Sequence, residues 1–92
     1  ALDHFLKANA EDPANPDILN YLGLCSEKLG FDENAEIYYL LGLELSDQHN
    51  SIKYNLGVFY KNQSRTEDYK EVLNSLKNCG CDEYKNLKML TN

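Results

Sequence analysis

Cys79-Gly80-Cys81 is the closest pairing of reactive side chains in the chain, and metal binding is the first chemistry it raises. A zinc site needs further Cys or His ligands at characteristic spacings. His4 and His49 are distant in sequence and there is no second cysteine pair, so no familiar ligand set can be assembled. With Cys25 the cysteines number three, too few and odd for a disulfide framework, which points to a reducing compartment. The 79–81 pair then reads as a partly buried thiol beside a helix-ending glycine. Cys25 falls at a packing position and is expected to be buried and inert. Neither histidine has a carboxylate at a spacing that would fix it. A glycine-rich phosphate loop, a His-Glu zinc motif and a Gly-x-Ser-x-Gly elbow are all missing. The expectation is a chain that is not an enzyme and uses no cofactor and no metal.

The elements that carry these residues belong to a small globular chain: 92 residues, 42% hydrophobic and 26% charged. The net charge of -6 and a single arginine, Arg65, argue against nucleic acid, because phosphate binding needs clustered Lys and Arg. The charge is uneven. Residues 1–49 hold ten acids and two lysines, whereas residues 50–92 hold five acids and seven bases. No apolar run approaches the roughly 20 residues of a membrane span, and no signal peptide is legible, so a cytoplasmic location is expected. The chain begins Ala1-Leu2-Asp3-His4, as a piece of something longer would.

An internal repeat organises the sequence. Leu22-Gly23 recurs as Leu56-Gly57, and the same separation joins Ala1 to Ala35, Phe5 to Tyr39, and Ala8 to Gly42. A period of about 34 residues, with Leu-Gly in one segment and small-x-x-x-aromatic in the next, resembles the tetratricopeptide repeat family over nearly the whole chain. The resemblance implies an all-α fold: an α-solenoid of antiparallel helix pairs in a right-handed superhelix, with about five to six helices. Residues 1–15 would be the second helix of a truncated repeat, 16–49 a complete repeat, 50–83 a degenerate repeat, and 84–92 a capping helix or the start of a further repeat. In the central unit Leu19 stands for the usual tryptophan, Ser26 replaces a tyrosine and Asp47 a proline. In the degenerate unit Tyr69 and Leu76 stand where small residues are expected, so its packing should be looser or shifted.

Local signals fit this division. Asn15-Pro16 reads as an N-cap followed by proline at the first helical position. Asp32, Asn50 and Thr66 are candidate N-caps, and Gly30 and Gly80 supply positive-φ positions for turns. Gly23, Gly57, Ala35 and Gly42 would let helices approach closely. Tyr84, Leu87 and Leu90 form an apolar stripe for a last short helix.

The family resemblance implies that first helices line a concave groove and that the chain is a protein–protein interaction module for a peptide or partner protein. The groove positions would be Asp17, Asn20, Tyr21, Leu24, Glu27 and Lys28, then Ser51, Tyr54, Asn55, Val58, Lys61 and Asn62, with Lys85, Lys88 and Met89 from the last helix. A peptide with an apolar anchor, basic residues toward Asp17 and Glu27 and acidic ones toward Lys61, Lys85 and Lys88 would match. Of the five groups with which one subgroup clamps a terminal carboxylate, only Asn55 and Lys85 have counterparts, which disfavours that ligand. Two other readings stand beside this one. The chain could be the docking arm of a larger enzyme such as a transferase, or a scaffold that self-associates through the uncovered Leu2, Phe5 and Leu6.

Overall fold

The computed structural model describes residues 15–91, whose regular structure is all helical with no strand among them. Five α-helices follow one another: α1 Pro16–Lys28, α2 Asp32–Leu45, α3 Asn50–Asn62, α4 Thr66–Leu76 and α5 Asp82–Lys88, with a 3-10 turn over Met89–Thr91. The chain divides into two compact units, Ala1–His49 and Asn50–Asn92. The expected readings of Ala1, Leu2, Phe5, Leu6 and Ala8 lie outside the described residues.

The start of α1 is set by Asn15, whose side-chain oxygen accepts from the backbone N–H of Asp17 at 3.0 Å and of Ile18 at 3.4 Å. Pro16 loses nothing at the first helical position, where its missing N–H has no helical partner anyway. At the other end Gly30 adopts φ +81 and its N–H bonds the Glu27 carbonyl, while the Phe31 N–H reaches back to Ser26 at 2.8 Å. This is a Schellman stop, in which a left-handed residue lets the chain satisfy carbonyls that the helix leaves open. In α2, Asp32 and Glu33 place negative charge in the first turn, where the helix dipole favours it.

Within the first unit α1 packs on α2. Leu19, Leu22, Ala35, Tyr38 and Tyr39 are buried, with Ile18 packed against that core. The helices come close at Gly23: a Cβ there would fall against the Tyr39 ring, well inside van der Waals contact. Ser26 is fully buried, and its hydroxyl finds no hydrogen-bond partner among the described residues.

The second unit repeats the first in its beginning and departs from it later. The offset from Leu22-Gly23 to Leu56-Gly57 also carries both ends of α1 onto the ends of α3, Pro16 to Asn50 and Lys28 to Asn62, and the start of α2 at Asp32 onto the start of α4 at Thr66. The turn repeats as well. Ser64, which stands at the same offset from Gly30, takes φ +59, its N–H bonds the Lys61 carbonyl, and the Arg65 N–H bonds the Tyr60 carbonyl at 2.9 Å. The Arg65 guanidinium then stacks 4.5 Å from the Tyr60 ring centroid, an added contact across the helix end.

α4 stops at Leu76, short of Cys79, the position that corresponds to the end of α2 at Leu45. Its last turn tightens, with the Lys77 N–H bonding the Asn74 carbonyl, the Cys79 N–H bonding that of Leu76, and the Ser75 hydroxyl bonding that of Val72 at 2.6 Å. The buried Lys53 extends its ammonium to the Ser75 carbonyl at 3.4 Å. α5 then packs on both α3 and α4. Leu87 is fully buried in the space over Gly57, where an added Cβ would meet its methyl at 2.5 Å. The Tyr69 hydroxyl donates to the Leu87 carbonyl, and burial raises the Tyr69 phenol above its usual pKa. Tyr69 and Leu76 are therefore fully packed. Of the looser or shifted packing expected here, the described residues show a change of partner without loosening.

Three sequence expectations need correction here. Asp32 and Thr66 are not caps: each is the first helical residue, the N-cap positions are Phe31 and Arg65, and neither makes a side-chain capping bond. The Schellman turn explains this, because the residue that closes one helix is also the residue before the next. Asn50 likewise lies inside α3 as its first residue. Finally, Cys79 and Cys81 are joined as a disulfide and are not separate thiols. Gly80 at φ +63 folds the chain so that their Cα atoms are 5.2 Å apart, within bridging range.

Candidate functional site

On α1 the helical period separates two faces. Leu19, Leu22, Gly23 and Ser26 are buried on one side, while Asp17, Tyr21, Leu24 and Lys28 are exposed on the other, with Asn20 and Glu27 half-buried at its edge. Tyr21 keeps 54% of its surface and Leu24 36%, an accessible aromatic–aliphatic pair one helical turn apart. A bond to the Cys25 side chain raises the Tyr21 phenol above its usual pKa. Cys25 itself is a free thiol of intermediate exposure, in contrast to the full burial expected for it.

Two acids of this face already have partners within the unit. The Asp17 carboxylate meets the His49 imidazole at 2.7 Å, so the sequence reading that left His49 without a carboxylate is overturned. The two are 32 residues apart in sequence, a separation that no local spacing rule detects. Glu27 accepts a hydrogen bond from the Tyr39 hydroxyl. Its pKa is raised, first because burial penalises the carboxylate, with the Tyr39 bond acting the other way. Tyr39, in turn, is held far above the phenol range by burial and then by the same acid. The acidic end expected to meet a basic peptide is thus partly committed to the fold, although Asp17 keeps 83% of its side-chain surface.

In the second unit Ser51, Lys61 and Asn62 are exposed on α3, and Tyr54, Asn55 and Val58 are half-buried beside them. The Lys61 ammonium lies 5.4 Å from the Tyr69 ring centroid. On α5, Lys85 and Lys88 are exposed, Lys88 lying 5.7 Å from the Tyr84 ring, and Met89 just beyond keeps 69% of its surface. The same unit has an open cleft of about 260 Å³ lined by Lys70, Leu73, Asn74, Lys77 and Tyr84.

Sequence reasoning missed a second surface. α2 exposes Ile37, Leu40, Leu41 and Leu45, and the preceding turn exposes Leu29 and Phe31. The signal was present in the apolar run Ile37–Leu43, which covers more of the helix circumference than a single buried face needs. Among the described residues no group of three or more His, Cys, Asp or Glu is placed to hold a metal ion, and no helix is long and apolar enough to cross a membrane. No protein-family model and no curated protein matches the chain.

Proposed function

We propose that the chain is a protein-interaction module built from tetratricopeptide-like antiparallel helix pairs, with the exposed face of α1 and, separately, that of α3 each taking a peptide or partner protein. The observation that carries this reading is the division of α1. The positions that the family pattern assigns to partner contact include the exposed Tyr21 and Leu24, while Leu19, Leu22, Gly23 and Ser26 on the opposite side are buried. Exposed aromatic side chains that bring large apolar area at low entropy cost are frequent anchors in interfaces. The helix boundaries, which repeat at the offset of the Leu-Gly pairs, and the matching turns at Gly30 and Ser64 support the repeat reading. A partner for α1 would offer an apolar anchor near Tyr21 and Leu24, and a partner for α3 would offer acidic groups near Lys61.

The test is selection of binding peptides from a displayed random library, followed by titration of the winners against Tyr21→Ala, Leu24→Ala, Tyr54→Ala and Lys61→Glu. Binding should fall at least tenfold while helical circular dichroism and the melting midpoint stay unchanged. Peptides that bind all four variants equally well would sink the reading.

A second reading, self-association of this chain as a scaffold, is favoured by the exposed apolar face of α2. Ile37→Glu together with Leu41→Glu should then convert a dimer to a monomer in sedimentation. A wild-type chain that is already monomeric removes this alternative.

A further inference from the structure

The Cys79–Cys81 disulfide closes a loop with a sequence separation of only two, between α4 and α5. Cross-links stabilise mainly by restricting the unfolded chain, and the restriction grows with the length of the loop closed. A bridge around a single glycine restricts almost nothing, so a stapling role does not account for it. The pair also lies outside any helix, and both cysteines are partly accessible to solvent. Gly80 at φ +63 makes the left-handed turn between the two cysteines, a conformation that glycine adopts without the steric cost other residues bear.

We propose that Cys79 and Cys81 form a reversible dithiol–disulfide couple that exchanges with small-molecule disulfides of the glutathione class. The two sulfurs are not equivalent. The Cys81 backbone N–H points at Cys79 Sγ, with N···S 3.1 Å. On reduction that donor stabilises negative charge on Cys79, making Cys79 the attacking thiolate.

In the oxidising direction the Cys79 thiolate attacks one sulfur of the small disulfide, forms a mixed disulfide and releases the other half as a thiolate. Cys81 loses its proton to solvent and attacks Cys79 Sγ, closing the internal bridge and expelling the second thiolate. Two electrons pass from the protein dithiol to the small disulfide, and two protons from the cysteines end on the two released thiols. Reduction by the small thiol runs through the same mixed disulfide in reverse. The site is independent of the docking reading above, since neither cysteine belongs to the faces of α1 or α3.

The test equilibrates the full chain and its Cys25→Ser variant in buffers of graded reduced-to-oxidised glutathione ratio, followed by alkylation and mass spectrometry. Cys79 and Cys81 should change together, reversibly, and identically in both chains. Under oxidised glutathione, Cys81→Ser should trap the mixed disulfide at Cys79 at least threefold faster than Cys79→Ser traps it at Cys81. Three results would overturn the proposal: both thiols alkylating fully after equilibration with oxidised glutathione, a bridge opened by dithiothreitol but not by glutathione, or covalent dimers in place of the internal bond.

Discussion

The two units begin alike and finish differently. In both, a first helix carries Leu-Gly, closes in a Schellman turn around a left-handed residue, and hands the chain to a second helix at the same offset. Yet the glycine of the first helix meets the rigid ring of Tyr39 from α2 in one unit and the branched end of Leu87 from α5 in the other. One glycine-made gap has two fillers: a repeat holds the local chain path, while the identity of the packing partner depends on what the second helix brings. Where α2 has the small residues Ala35 and Gly42, α4 has Tyr69 and Leu76, which take the buried space themselves. A further helix then covers the glycine.

The largest perturbations should come from removing the two fillers. Tyr39→Ala is expected to cost about 3–5 kcal/mol and Leu87→Ala about 2–5 kcal/mol, read as shifts of the urea midpoint. The first leaves Glu27 half-buried without its donor, and the second empties a fully buried site. If Leu87→Ala is silent, α5 is not part of the second core and the contrast between the units fails.

Filling the gaps should separate the units more finely. At Gly23 an added methyl meets an aromatic ring that cannot bend away, and Gly23→Ala should lose about 1–3 kcal/mol. At Gly57 the obstacle is the end of a leucine side chain, and the gain of roughly 1 kcal/mol in helix propensity for alanine over glycine offsets much of the clash. Gly57→Ala should therefore be clearly milder. Equal losses in the two melts would show that the glycines are used in the same way.

The turns give a smaller and opposite pair. Ser64 holds φ +59 at a steric cost that glycine does not bear, so Ser64→Gly should stabilise by about 1 kcal/mol and Gly30→Ser destabilise by a similar amount. Both are measurable by thermal unfolding. A loss of stability in Ser64→Gly would mean that the serine side chain contributes more than its backbone strain costs.

The weakest predicted effect is in pH dependence. Glu27 holds its proton to higher pH in the folded chain than in the unfolded one, chiefly because burial disfavours the charge. Its contribution to stability is then full below the usual glutamate value and declines as pH rises through the raised folded value. Glu27→Gln should flatten that part of a stability–pH curve while leaving Tyr39 an amide oxygen to donate to. An unchanged slope would assign the titration to another group.

Much of the architecture was legible in residue order because it depends on neighbours. Asn15-Pro16 announces a helix start through bonds that reach only to Asp17 and Ile18, and Gly30 announces a turn through its own φ. Ser64 was not legible as the equivalent turn, since serine rarely adopts positive φ and does so here because the flanking bonds to Tyr60 and Lys61 hold it there. For the candidate site, the family resemblance implied Tyr21 and Leu24 as contact positions, and both are exposed on the side of α1 away from the buried Leu19 and Leu22. Which of its charges are already engaged was not legible. Asp17 finds His49 at a separation of 32 residues, and Glu27 finds Tyr39 on the next helix.

By itself the sequence determined the spacing of the Leu-Gly pairs and the glycine turns, and through its family resemblance the helical character of the described residues, because each rests on the pattern of side chains along the chain. Only the tertiary structure decided that Leu87 and not a residue of α4 covers Gly57, that Asp17 and Glu27 have partners, and that α2 leaves an apolar face in solvent. These depend on which helices come together and how much volume each brings, a balance of packing and burial that no local window of residues contains.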